Sequence, residues 1–127
     1  MNEAGGILIV EADVLVRHPL AEYLRECGYQ VAEALDQHEA EALLAAASVP
    51  IDIVLAAGPS GFALAQWLRR VHPTIEIILA GTVARATERA GDLCEEGPAE
   101  HKPHDHKQVL EEIRRLMATR SARRIES

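Results

Sequence analysis

With 127 residues, 48% of them hydrophobic and 26% charged, the chain has the length and balance of one globular domain with an ordinary core. A formal net charge of −7 argues against a nucleic-acid-binding surface, because phosphate contacts need a basic face. No apolar run reaches the roughly 18 residues that a membrane span requires, so neither nucleic acid nor membrane is an expected partner.

The elements follow in chain order. Residues 1–6 carry no basic segment and the apolar run after them is short, so no signal peptide is expected. Ile7-Leu8-Ile9-Val10 is a short apolar run that ends in acid, the pattern of a buried strand. Leu15, Val16, Leu20 and Leu24 then recur at helical spacing, with Pro19 tolerable near the start and Gly28 at the end. A second strand is predicted over residues 29–34. Asp36 and Glu39 form a capping-box-like start for a second helix running to about residue 47.

Pro50 separates that helix from a third strand over 51–56. Gly58-Pro59-Ser60-Gly61 reads as a turn, and a third helix is expected over 62–71, stopped by His72-Pro73. A fourth strand follows over 75–79, then a short, weakly apolar helix over about 84–90. Residues 91–103 should hold a fifth strand, yet Pro98 and the polar run Glu95 to His101 suit a distorted edge strand or an irregular loop. The last helix is marked by Val109, Leu110, Ile113, Leu116 and Met117, capped by Asp105. Beyond it, a frayed tail over 119–127 carries Arg120, Arg123 and Arg124, whose positive charge suits a helix C-terminus.

Strand–helix alternation of this kind gives an α/β domain with a doubly wound, five-stranded parallel sheet whose fifth strand is weak or irregular. Aromatics are only 3% of the chain, and an aliphatic core suits a sheet covered on both faces. One domain is expected over residues 1–127, with its core at about 7–118. Ligands of such sheets sit beyond the carboxyl ends of the strands, so the residues to read for function are 11–13, 57–60, 80–82 and those around Lys102.

Those positions carry a resemblance. The stretch Ile7-Leu8-Ile9-Val10-Glu11-Ala12-Asp13-Val14-Leu15-Val16-Arg17, the run from Ala21 to Val31, Asp52-Ile53-Val54-Leu55, Ile77-Ile78-Leu79 and Lys102-Pro103 together resemble the receiver domains of bacterial response regulators, CheY-like proteins of two-component phosphorelay signalling. The resemblance implies a flavodoxin-like order of strands and a site with four parts. An acidic pair binds Mg²⁺, an aspartate ending the third strand takes a phosphoryl group, a Ser or Thr follows the fourth strand, and a lysine stands before a proline.

Carried over position by position, the match is incomplete. Glu11 holds the first acidic place, Ala12 replaces the second, and Asp13 falls one residue late. Ala57 stands at the phosphoacceptor place and Ala80 at the Ser/Thr place, with Thr82 two residues on; only Lys102-Pro103 is intact. Asp52 lies at the wrong end of its strand, and Ser60 is an unactivated hydroxyl. The expectation is a pseudo-receiver that is not an enzyme, cannot be phosphorylated on Asp, binds Mg²⁺ weakly or not at all, and needs no cofactor. Lys102 is expected either to form a surface salt bridge of little consequence or to pair with Glu11 or Asp13 and fix one conformation.

The expected partner is a protein: a sensor histidine kinase, a phosphotransfer protein or a second copy, bound through about residues 84–117. Two alternatives remain open, a receiver phosphorylated on an atypical residue and a small metal-binding module. The second would use His101, His104 and His106 with Cys94, whose spacing is loose for zinc. Cys27 and Cys94 are too few for a disulfide framework, so a reducing cytoplasm is expected, with Cys27 packed at a helix end.

Overall fold

The computed structural model describes residues 5–46, 50–57 and 61–96. Four strands, β1 (Gly6–Val10), β2 (Gln30–Ala34), β3 (Ile53–Ala57) and β4 (Glu76–Ala80), alternate with four helices, α1 (Val14–Glu26), α2 (Gln37–Ala46), α3 (Gly61–Val71) and α4 (Val83–Glu95). The strands are all parallel in the order β2-β1-β3-β4. This is the α/β doubly wound arrangement expected from the alternation; the part of the fifth-strand expectation at 97–103 and the final helix lie outside the described residues.

Side-chain alternation along the strands divides the core into two layers. Ile7, Ile9, Leu55 and Ala57 point to one face, where Val16, Leu20, Tyr23 and Leu24 of α1 cover them. Leu8, Val10, Val54 and Ala56 point to the other, under Ala40 and Leu44 of α2 and Leu64 and Leu68 of α3. The central strands are buried on both faces and the outer ones only partly, so β1 reads as an unbroken apolar run while β2 does not.

The helix boundaries follow local chemistry. Asp13 caps α1 by accepting from the Leu15 N–H at 2.9 Å. Pro19 sits in the second turn rather than the first, where it costs one backbone hydrogen bond. Gly28 ends the helix with φ 103°, a left-handed conformation that glycine takes without penalty. The start of α2 is closed by a shifted form of the capping box: Asp36 accepts from the Glu39 N–H at 3.0 Å, while the Glu39 carboxylate reaches one residue past the cap to the Leu35 N–H at 2.6 Å.

Two expectations are corrected. The helix after β4 does not stop near residue 90 but continues through Gly91 to Glu95, so residues 91–95 are neither strand nor loop. Ala86, Ala90, Leu93 and Cys94 form one buried stripe at helical spacing, and burying it outweighs the roughly 1 kcal/mol that a helical glycine costs. The second correction concerns the cysteines. Cys27, the C-cap of α1, and Cys94, in the last turn of α4, form a disulfide with Cα atoms 5.3 Å apart.

That bond sits where α4 lies, on the face of α1. Ala86, Ala90, Leu93 and Cys94 join the layer formed by α1, β1 and β3, opposite α2 and α3. The Tyr29 hydroxyl adds a hydrogen bond to the Leu93 carbonyl at 2.6 Å. Burial, and then the charge of Glu96, push the Tyr29 phenol above its usual range, which keeps it a neutral donor.

Candidate functional site

The carboxyl ends of β1, β3 and β4 bring Glu11, Ala12, Asp13, Ala57, Ala80 and Thr82 to one edge of the sheet. Ala57 is the last residue of β3 and pairs in register with Ala80, the last residue of β4. Both methyls are buried, 9% and 2% exposed, in the apolar layer beneath α1 and α4. The centre of this edge is therefore lined by hydrocarbon.

Its acids are engaged in holding the chain. Glu11 is only 8% exposed, and its Oε2 accepts from the Asp13 N–H at 2.7 Å. The Glu11 backbone is fixed on both sides: its N–H donates to the Ala34 carbonyl at 3.1 Å, and its carbonyl accepts from Arg17 Nη1 at 2.8 Å. Asp13 is the α1 cap. Thr82 is used the same way, its Oγ1 accepting from the Arg85 N–H at 3.2 Å to cap α4. The acidic pair and the nearby hydroxyl are positioned by β1 and β4, and each closes a backbone turn.

Lys102, Pro103, His101, His104 and His106 lie outside the described residues, as does the expected contact of Lys102 with Glu11 or Asp13. Cys94, the fourth weak metal candidate, is corrected: its sulfur is bonded to Cys27 and offers no thiolate. Among the described residues no three His, Cys, Asp or Glu side chains gather as a metal site. Mg²⁺ asks for several hard oxygens. Ala12 and Ala57 present methyls where the family's site would place oxygens, so the described edge offers that ion the Glu11 and Asp13 carboxylates, each of which also accepts a backbone N–H.

Asp52 and Trp67 are also placed. Asp52 lies at the amino end of the sheet, where its Oδ2 accepts from the Gly6 N–H at 3.1 Å. Trp67 is half-buried on α3, tilted against His72 with ring centroids 5.4 Å apart.

Sequence reasoning missed a charged cluster beside the first strand. Glu33 of β2 is gripped by Arg17 Nε at 3.1 Å, His18 Nδ1 at 3.0 Å and Arg25 Nη2 at 3.4 Å. Partial burial pushes the Glu33 carboxyl up. The hydrogen bonds of His18 and Arg17 and the charges of His18 and Arg25 outweigh it and hold the group below its ordinary value. The sequence signal was there in outline: Arg17, His18 and Arg25 recur on one side of α1, beside the strand that carries the acid. Arg17 links the cluster to the crevice, since the same guanidinium holds the Glu11 carbonyl.

α4 forms the described part of the surface expected over 84–117. Its apolar stripe is turned inward onto α1 and the sheet, and its outer face is charged, with the exposed pairs Arg85–Glu88 and Arg89–Asp92. None of the helices among the described residues is long and apolar enough to cross a membrane.

No family model and no curated protein sequence matches this chain. Solved structures do. The receiver domain of the hybrid histidine kinase CckA is 30% identical with a TM-score of 0.54, over 59% of this chain and 73% of that one. The non-phosphorylated HemR receiver domain from Leptospira biflexa is 27% identical at a TM-score of 0.54, over 86% and 93% of the two chains. The signal receiver domain of a signal transduction histidine kinase from Syntrophus aciditrophicus, 24% identical over 91% and 92% at a TM-score of 0.54, shares the fold. With four parallel strands in the order β2-β1-β3-β4 and a receiver domain at 30% identity, the chain belongs to the response-regulator receiver-domain family.

Proposed function

We propose that this chain is a receiver of two-component signalling that takes no phosphoryl group on aspartate and acts by binding a protein partner. The observation that carries this is the methyl of Ala57 at the carboxyl end of β3, set beside the methyl of Ala80 in a buried apolar layer. A methyl has no lone pair with which to attack phosphorus. The nearby described carboxylates are held as backbone acceptors, Glu11 by the Asp13 N–H and Asp13 by the Leu15 N–H, and Asp52 is at the other end of the sheet. The reading includes no resident Mg²⁺ and no catalysis, for the same reasons.

The partner is a protein of the same pathway, namely a sensor histidine kinase, a phosphotransfer protein or a second copy. The docking surface is assigned to about residues 84–117, whose described part offers the alternating charges of the α4 outer face. A surface of paired charges suits a polar, salt-sensitive contact rather than a permanent apolar one.

Incubation with acetyl phosphate and Mg²⁺ followed by intact-mass measurement tests the reading. The expected result is an unchanged mass. A gain of one phosphoryl group would overturn it, and peptide mapping would then identify the atypical acceptor. Elemental analysis of the purified protein addresses the metal-binding alternative, for which stoichiometric zinc would count.

A further inference from the structure

The two cysteines of this chain are brought together by tertiary structure alone, 67 residues apart in sequence. Both are buried, Cys27 fully and Cys94 to 1% exposure. They join two helices that are held very differently. α1 buries Val16, Leu20, Tyr23 and Leu24, a set of large side chains. Among the described side chains of α4, Leu93 is the one large aliphatic that is buried; the others in its stripe are Ala86, Thr87, Ala90 and Cys94. Small side chains remove little apolar area from water, so packing holds α4 weakly. Besides that packing, its last turn is tied by the Tyr29 hydroxyl on the Leu93 carbonyl and by the disulfide.

We infer that the Cys27–Cys94 pair is a thiol–disulfide latch: oxidised, it fixes α4 on the face of α1, and reduced, it lets α4 leave that face. The exchange needs a dithiol as reductant. One thiolate of the dithiol attacks a sulfur of the pair, the Cys27–Cys94 bond breaks, and the other cysteine departs as a thiolate that takes up a proton. The second thiol of the reductant then displaces the first cysteine, so that the protein gains two thiols and the dithiol becomes a disulfide. Because both sulfurs are buried, attack requires the last turn of α4 to open, which makes that turn the gate for its own release.

Assigning the latch the role of this receiver's switch rests on the reading that no phosphoryl group drives it. The two-state behaviour of the latch does not. The chemistry is reversible and covalent, as a switch requires, and it acts on a helix that starts at the candidate site, where Thr82 caps it.

The test compares air-oxidised protein with protein treated with dithiothreitol. Alkylation under denaturing conditions should label no cysteine in the first and two in the second. Amide hydrogen exchange should then speed up by about tenfold or more across residues 86–96 on reduction, while residues 7–10 and 54–57 keep their protection. Cys94→Ser should exchange quickly in both states, and Cys27→Ala serves as the second variant should the first fail to fold. Two alkylatable thiols in the oxidised sample, unchanged exchange, or equal loss of protection throughout the sheet would each overturn the latch, the last by reducing it to a staple. Phosphoryl uptake from acetyl phosphate would overturn the preceding reading and leave these exchange results standing, so the two failures are distinguishable.

Discussion

The two ends of the sheet are built on opposite terms. At the amino end, covalent and backbone contacts converge: the Cys27–Cys94 bond, Tyr29 on the Leu93 carbonyl, Asp52 on the Gly6 N–H, and the Asp52 N–H on the Gly6 carbonyl at 2.8 Å. A side chain at Gly6 would collide with the Pro50 carbonyl, so β1 and the segment before β3 approach at a distance that glycine alone permits. At the carboxyl end, where receivers place their chemistry, two alanines face each other and the polar residues cap helices. On the proposed reading, in which no phosphoryl group is taken there, these residues are set by local stability. What remains conspicuously engineered, in the sense of close and costly contacts, is the end away from the crevice.

That contrast can be broken by mutation. Gly6→Ala should have the largest effect, a loss of about 3 kcal/mol or more, because the clash is with backbone in a fully buried strand; urea unfolding would measure it. Tyr29→Phe should follow at about 1 kcal/mol, the cost of losing the part-buried hydrogen bond to the Leu93 carbonyl, read by the same titration. At the other end Asp13→Ala should cost about 1 kcal/mol through the lost cap of α1. A larger loss at Asp13 than at Gly6 would reverse the comparison and return the carboxyl end to prominence.

The smallest effect is expected from pH. The Glu33 carboxyl is held below its ordinary value of 4.5, so its contribution to stability is present above that pH and is lost as pH falls through the lower, folded value. Glu33→Gln should therefore flatten the acid limb of stability below about pH 4.5, measured as the urea midpoint against pH. An acid limb unchanged by the substitution would place the effect in other carboxylates.

Much of this was legible in the sequence because its signals are local. The apolar run Ile7 to Val10 and the capping pair Asp36 and Glu39 name a strand and a helix start through neighbours within a few residues. The third strand was legible for the same reason, although it runs over Ile53–Ala57 rather than 51–56, and the place of Ala57 came from the family resemblance. The helix after β4 was cut short because glycine is a poor helix former, and Gly91 outvoted the stripe that runs through it to Cys94. The cysteine pairing was not legible at all. It depends on which face of the sheet α4 takes, and no local pattern encodes that choice. The Glu33 cluster escaped for a related reason, since its ion pairs join α1 to a strand that the chain reaches only after turning back.

α4 has thirteen residues and is about 20 Å long, a stiff rod reaching from the crevice rim at Thr82 to the far side of the sheet at Cys94. A tilt of about 10° about its middle would carry both ends sideways by roughly 2 Å in opposite directions, so the crevice end cannot swing in this way unless the Cys94 end moves too. Clamping the remote tip by a sulfur bridge thus restrains the rim as well, and the two poles of the domain answer to a single lever.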